Sequence, residues 1–360
     1  MKKALMVSCD GLGNGGVQHV MMNIVRNLSN EFHFDMLLFT NEVRYFDAEF
    51  QKYGTIFRLP HKGAVGSFRR KIDFYIRFPR IYHGVKKILK EHGPYQVIHC
   101  HNYFEAAPCL LAAAHCGVPV RISHCHSVLP RFNFIARSLC LMYRKLLNRY
   151  ATVKLGCSQA ATNYLFGKNQ GKSFPNAIDL NRFDINRYPA KKIKHSFVHV
   201  GSFGITKNQL FILDVFNVVQ KQWPDVSLKL VGNKNEAYEA LMQQKIKDLR
   251  IRNVKLRPHD SYVPALFAQS EYMIFPSTYE GFGLALVEAQ AMGVKCFASD
   301  VIPKESNIGL CQYLSLKQSP AQWAKVVFES ENTPLPRPNT QKVSLENYVR
   351  QILWIYEDKK

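Results

Sequence analysis

The chain has 360 residues, 47% hydrophobic and 21% charged, which excludes a disordered segment and gives enough length for two α/β domains. Its formal net charge is +21, and no apolar run reaches the ~18–20 residues of a membrane-spanning helix. Residues 1–180 carry 24 basic and 10 acidic side chains, against 24 and 17 in residues 181–360. The excess therefore sits in the first half and implies an anionic partner: membrane lipid, a pyrophosphate-linked acceptor or nucleic acid. Nine cysteines without framework spacing suit reduced thiols in a cytoplasmic protein.

Met1–Ser8 looks like a signal peptide only at first sight. Its apolar stretch is short and runs into Cys9-Asp10-Gly11, so it reads as a first strand, Ala4–Ser8. Helical periodicity follows over Val17–Leu28, with Val17, Val20, Met21, Ile24, Val25 and Leu28 on one face. Strands are expected at Phe34–Phe39, Thr55–Leu59, Gln96–Cys100, Val120–Cys125 and Thr152–Cys157. Helices are expected at Tyr82–His92, Ala106–Cys116 and Ala136–Tyr150, with Gly117 closing the second.

A turn-rich stretch, Phe174-Pro175-Asn176-Ala177-Ile178-Asp179, places the boundary between a first domain, 1–180, and a second, 181–344. The alternation then restarts. Strands are expected at Ser196–Val200, Ser227–Val231, Val254–Leu256, Tyr272–Phe275 and Lys295–Ala298, and helices at Leu210–Trp223, Glu236–Leu249, Val263–Ser270 and Gly283–Met292. Such alternation means parallel sheets covered on both faces. The expected fold is α/β, two Rossmann-like doubly wound domains facing a cleft, with ligands at the carboxyl ends of the strands.

The strongest chemical signal runs from Phe275-Pro276-Ser277 to Glu280-Gly281-Phe282-Gly283-Leu284 and on to Glu288. A buried strand ends at Pro276, a polar turn presents Glu280, and two glycines leave bare amides at a helix start. Unpaired donors and the helix dipole make such a start an anion site. Glu280 and Glu288 are eight residues apart, and with about seven of these helical Glu288 lies roughly two turns below the helix start. Its neighbours Leu284, Leu286, Val287, Ala289 and Ala291 are not those of a merely solvated acid.

Pro276-Ser277, Glu280 and, after seven residues, Glu288 resemble the signature of the family-4 retaining glycosyltransferases, many of which build bacterial polysaccharides. The resemblance covers nearly the whole chain. Gly15-Gly16-Val17-Gln18 is similar to the N-terminal glycine turn, and Cys157-Ser158 with Phe174–Asp179 and Phe183 to the entry into the second domain. Val200-Gly201 with Lys207-Asn208 is similar to the phosphate stretch, and Leu230-Val231-Gly232 to a nucleotide-side turn. The last helix, about Leu345–Tyr356, is similar to one that returns to the first domain.

The resemblance implies the GT-B fold and a role for each matching residue. Glu288 would hold ribose hydroxyls, and Glu280 the donor sugar. Amides around Gly281, Phe282, Gly283 and Leu284 would hold sugar and phosphate, and Lys207 would neutralise the leaving diphosphate. Gly16, Gly201, Ser202, Gly232 and Arg257 complete the expected donor side. Ser202 is a departure, because the family usually places Arg after the glycine that matches Gly201. His126, with His124 in reserve, would line the acceptor side.

The turn Gly11-Leu12-Gly13-Asn14-Gly15-Gly16 also fits a dinucleotide fingerprint, yet the acid expected near the end of the second strand is missing, Glu42 coming late. His99-Cys100-His101, His115-Cys116 and His124-Cys125-His126 tempt a zinc reading. Their spacing is that of no known ribbon or finger, and no Asp-x-Asp pair offers a magnesium or manganese site, so no metal or other cofactor is expected. Strand alternation would put His99 and His101 on one face.

Basic residues interleaved with aromatics occupy 57–90 (Arg58, His61, Lys62, Arg69, Arg70, Lys71, Arg77, Arg80, Lys86, Lys87 and Lys90) and 131–149 (Arg131, Arg137, Arg144, Lys145 and Arg149). They suit an anionic membrane surface. The expectation is a cytoplasmic enzyme, peripheral on the inner face of the membrane. It would move a hexose or N-acetylhexosamine from a nucleoside diphosphate sugar, UDP before others, to a glycan or lipid-pyrophosphate-linked acceptor, with no nucleic-acid partner. The alternatives are a NAD-dependent oxidoreductase using Gly11–Gly16 and a non-enzymatic basic module for membranes or nucleic acid.

Overall fold

Short apolar runs, buried on both faces in the central strands and partly exposed at the edges, form two parallel sheets. The computed structural model describes residues 1–59, 67–128, 134–189, 191–233, 235–258 and 262–358, and only the backbone of 67–76 and 134–137. The chain divides into two units, one of Met1–Asn176 with Leu345–Lys360 and one of Ala177–Ser344.

The first unit holds β1 (Lys2–Ser8), β2 (Phe32–Leu38), β3 (Ile56–Arg58), β4 (Val97–Cys100), β5 (Val120–Cys125), β6 (Val153–Gly156) and β7 (Lys172–Ser173). Their order is β3-β2-β1-β4-β5-β6-β7, with every neighbouring pair parallel. The second unit repeats the winding. Its strands β8 (Ser196–Val200), β9 (Ser227–Gly232), β10 (Val254–Pro258), β11 (Tyr272–Phe275), β12 (Lys295–Ser299) and β13 (Cys311–Leu314) lie in the order β10-β9-β8-β11-β12-β13. The order reverses between β1 and β4 in one sheet and between β8 and β11 in the other. Loops leaving the carboxyl ends of those strands diverge and open a crevice, the expected place for a ligand in each unit.

Several elements extend or add to the sequence reading. The helix expected from Tyr82 begins at Ser67 and runs to His92 through Pro79. Burial of Ile81, Val85, Ile88 and Leu89 outweighs the local cost of that proline. Unforeseen helices span Gln159–Phe166 and Pro320–Glu329. The first is capped by Ser158 and the second by a Ser319–Gln322 capping box. Trp323, fully buried in the second core, anchors the latter.

The helix Leu345–Tyr356 belongs to the first unit. Tyr348, Ile352 and Tyr356 recur every four residues as its buried face. The Tyr356 hydroxyl ends 3.4 Å from Met6 Sδ of β1, and its ring meets Phe32 of β2 edge to face at 5.2 Å.

Candidate active site

In the second unit the loops after β8 and β11 are laced together at the switch point. The Thr278 amide donates to the Thr206 carbonyl at 2.9 Å, and Asn208 Nδ2 donates to the Pro276 carbonyl at 3.3 Å. This brings Lys207 Nζ onto Glu280 Oε1 in a short charge-assisted bond. Ser277 Oγ donates to the same oxygen at 2.9 Å, and the ammonium lies 5.5 Å above the Phe275 ring. Lys207 and Glu280 keep 25% and 11% of their side-chain exposure, so a ligand can reach them.

Gln209 holds the β8 loop from beneath. Fully buried, it donates to the Ser202 carbonyl at 3.1 Å and accepts the Gly204 amide at 3.2 Å. Beside it His199 Nδ1 donates to the Ile274 carbonyl at 3.0 Å, tying β8 to β11. Burial drives its pKa down to about 3, with Lys207 adding to the fall and the Ile274 carbonyl opposing it, so this imidazole is neutral. Neither His199 nor Gln209 belongs to the expected site. Their signal was adjacency alone: both lie within two residues of the glycine and lysine that resemble the phosphate stretch.

Gly232 has a packing reason to be glycine. A Cβ there would stand 2.1 Å from the Gly201 carbonyl oxygen, so the ends of β8 and β9 meet backbone to backbone. Ser202 is exposed, and Arg257 is exposed on the edge strand β10. Two strands separate Arg257 from the β8–β11 switch point, and it takes no part in the Lys207–Glu280 pair.

The helix expected from Gly283 begins one residue later, at Leu284, and ends at Ala291. Gly283 has φ +90° and serves as its N-cap without a side-chain bond. Glu288 therefore lies little more than one turn inside the helix, not two. No acid occupies the first turn. Among the described residues, the amides of Phe282, Gly283 and Leu284 donate to no backbone carbonyl, which leaves the positive end of the helix open to an anion. Glu288 keeps some accessible surface, yet protein crowds its carboxyl. Burial pushes its pKa up to about 7, opposed by the nearby Arg182 guanidinium.

Gly16, His124 and His126 lie in the first unit. Gly16 is exposed at the start of the helix Gly16–Leu28 that follows β1. The Gly11–Gly15 turn is filled by neighbours: Arg44 Cδ stands 2.8 Å from where a Gly11 Cβ would be, and Gln18 Nε2 donates to the Gly11 carbonyl at 3.3 Å. The acid of β2, Asp35, is buried and bonded by the Tyr95 hydroxyl at 2.6 Å and the Thr55 amide at 2.8 Å. It is not the free ribose-binding acid a dinucleotide would require.

His124 and His126 sit inside a cluster of four imidazoles at the ends of β4 and β5. His99 and His101 do share a face. His99 Nε2 meets His124 Nδ1 at 3.2 Å with rings 5° from parallel, and His101 Nδ1 meets His126 Nε2 at 2.8 Å with rings 13° from parallel. The two pairs lie against each other, with centroids 4.0 Å apart at His99–His101 and 4.1 Å at His124–His126.

All four are buried, His126 most exposed at 8%. Burial holds His99, His101 and His124 well below the usual histidine range and His126 at about 4, Asn176 pulling the last back upward. Among the described residues, His101 Nε2, His124 Nε2 and His126 Nδ1 have no hydrogen-bond partner. The His101–His126 bond uses one of that pair's two N–H groups, so the other stands on an unpartnered nitrogen, a cost of about 1–3 kcal/mol.

Part of the expected basic surface is spent internally. Arg58 binds Asp47 and the carbonyls of Thr40 and Glu42, and Arg144 binds those of Tyr164 and Leu165. Tyr143 is buried, against Phe78 at 5.6 Å, so it is no membrane wedge. Lys87, Lys90, Lys145 and Arg149 are exposed. His61, Lys62 and Arg131 lie outside the described residues, as do the side chains of Arg69, Arg70, Lys71 and Arg137. Among the described residues no helix is long and apolar enough to cross a membrane.

Two family profiles match in succession: Glycosyltransferase Family 4 over residues 14–182 and Glycosyl transferases group 1 over residues 181–308. The chain is a glycosyltransferase. This glycosyltransferase is 28% identical to EpsF of Bacillus subtilis (strain 168), assigned as a glycosyltransferase, over 96% of the chain and 92% of that protein. It is 25% identical to the capsular polysaccharide biosynthesis glycosyltransferase CapH of Staphylococcus aureus, covering 88% of the chain and 87% of the relative. The crystal structure of Anabaena Alr3699/HepE in complex with UDP and glucose superposes with a TM-score of 0.77 at 17% identity, over 99% of this chain and 100% of that one. The glycosyltransferase thus has the two-Rossmann-domain, GT-B fold.

Proposed function

We propose that the enzyme transfers a hexose or N-acetylhexosamine from a UDP-sugar to a glycan or lipid-linked oligosaccharide, with retention at the anomeric carbon, in polysaccharide biosynthesis. One observation carries the reading: the Lys207–Glu280 pair stands beside an uncapped helix start, with Glu288 one turn deeper. Without donor, Lys207 and Glu280 neutralise each other. An arriving diphosphate replaces Glu280 as the counter-ion of Lys207 and draws on the amides at Phe282–Leu284. Glu280 is then free to accept bonds from sugar hydroxyls, and Glu288 from the ribose. Negative charge growing on the leaving phosphate meets fixed donors, so the bond to the anomeric carbon breaks without a metal. The leaving oxygen takes the acceptor's proton on the same face, which retains the configuration. His126 lines the acceptor side.

UDP is preferred because the HepE structures hold UDP with glucose and UDP-glucose. An Escherichia coli relative, 26% identical over 60% of this chain and 60% of its own, is a UDP-Gal:alpha-D-GlcNAc-diphosphoundecaprenol galactosyltransferase, which supports a lipid-pyrophosphate acceptor. Membrane attachment from the cytoplasmic side is supported by the helix Phe134–Tyr150, where Leu141 and Met142 are 47% and 46% exposed beside exposed Lys145 and Arg149. Calorimetry with UDP, GDP and ADP, followed by turnover of a panel of UDP- and GDP-sugars, tests the donor. Binding of none of the three nucleotides would sink the reading. NMR of the product's anomeric proton tests retention, and co-sedimentation with anionic against neutral vesicles tests attachment.

A further inference from the structure

The four imidazoles at the ends of β4 and β5 are a built polar cluster with ligand atoms to spare. One nitrogen from each of His99, His101 and His124 lies within 4.8 Å of the other two. We propose that these three residues bind one divalent transition-metal ion of the class that imidazole prefers, such as Zn²⁺.

The spacing fits. Two nitrogens each about 2.0–2.1 Å from a tetrahedral zinc stand roughly 3.3 Å apart, and His99 Nε2 and His124 Nδ1 are 3.2 Å apart. The outer partners fit at two of the three ligands, His99 and His101. A metal-bound histidine is usually oriented by a hydrogen bond at its other nitrogen. Here the Tyr356 hydroxyl holds His99 Nδ1 at 2.9 Å, and His126 Nε2 holds His101 Nδ1 at 2.8 Å, leaving Nε2 as the atom each can offer. His101 Nε2 is among the buried nitrogens without a partner.

The protons balance. Each neutral imidazole keeps one N–H and moves it to its outer nitrogen: to Tyr356 for His99, to His126 for His101, and to Nε2 for His124. Binding therefore needs tautomers and small ring rotations, with no proton released. Three uncharged nitrogens select zinc, cobalt, nickel or copper over magnesium or calcium, which prefer oxygen. The ion would link β4 to β5 and, through Tyr356, to the last helix. It is a structural staple within the first unit, separate from the donor chemistry of the second.

The test uses the full chain without a polyhistidine tag, stripped by chelator and titrated with Zn²⁺ by calorimetry and with Co²⁺ by absorption. One equivalent of either ion is expected, with a rise in Tm, visible Co²⁺ bands of a nitrogen-ligated tetrahedral site, and no response to Mg²⁺. His99→Asn and His124→Asn should each weaken binding at least ~10-fold. Tyr356→Phe, which keeps the packing, should weaken it by ~10-fold or more. A folded wild-type chain that takes up no Zn²⁺ overturns the proposal and leaves a purely hydrogen-bonded stack. So does a near-ultraviolet thiolate-to-cobalt band, which would move the ion to cysteine, or unchanged affinity in Tyr356→Phe.

Discussion

The same winding ends in two different chemistries. At the carboxyl ends of β8 and β11 the second unit displays a charged pair, Lys207 and Glu280, partly accessible and beside bare helix amides. At the ends of β4 and β5 the first unit carries four buried neutral imidazoles, paired with one another. An ion pair at a surface can exchange one partner for a ligand phosphate at little desolvation cost. A buried neutral stack takes up a lone proton only against a desolvation cost. The contrast suits one unit to binding and releasing an anion and the other to holding a permanent shape.

The largest effect that would break this contrast is acid. A histidine whose native pKa is depressed binds its proton first in the unfolded chain, so stability falls as pH drops from about 6.5 toward the native value. Each such group contributes a slope of about 1.4 kcal/mol per pH unit. In metal-free protein the first unit has four such groups, with His126 at about 4, and the second has His199 at about 3. Hydrogen exchange at pH 5 against pH 7 should show protection of β4 and β5 falling well before that of β8 and β11. Equal loss in the two sheets would remove the distinction.

Next in size is Lys207→Met, expected to lower kcat by roughly 10²–10³, as for loss of one donor to developing charge. A change confined to KM would mean that Lys207 binds the ground state only. Glu288→Ala is expected to weaken UDP binding roughly 100-fold, through loss of hydrogen bonds to a charged group; calorimetry reads this directly, and wild-type affinity would remove Glu288 from the donor site.

Smaller but diagnostic is Glu288→Gln. A carboxyl whose pKa rises from 4.5 to about 7 on folding is held protonated by the native state, so its stabilising proton is lost as pH rises through that window. The Tm of the Gln variant relative to wild type should therefore climb by a few degrees between pH 5 and 8. UDP affinity of the wild type should rise over the same range if the carboxylate is the binding form. The smallest effect is expected for Ser202→Arg. The exposed site has room for the side chain, and a second cation near the phosphates should raise kcat a few-fold, read in the same turnover assay.

Much of this was legible in the residues. Short apolar runs alternating with helical patterns located most of the strands, and two acids around a glycine-rich helix start marked the expected donor loop. The short edge strand β7 and the helix Gln159–Phe166 were not legible, because a two-residue strand and a helix of little more than two turns leave a weak periodic signal. Pro79 hid half of a long helix, since its local cost shows in sequence and the burial that outweighs it does not. Gly283 shifted the helix start by a residue, because only the folded turn fixes its φ at +90°.

By itself, then, the sequence determined which residue types follow each strand, and hence the expectation that the second half meets an anion. It could not determine who stands next to whom across neighbouring strands. Tertiary structure decided that Lys207 rests on Glu280, that Gln209 and His199 hold the loop beneath it, and that four histidines spaced as two local pairs become one cluster. The physical reason is register: residues on adjacent parallel strands are far apart in the chain, and only sheet pairing brings their side chains within bonding distance.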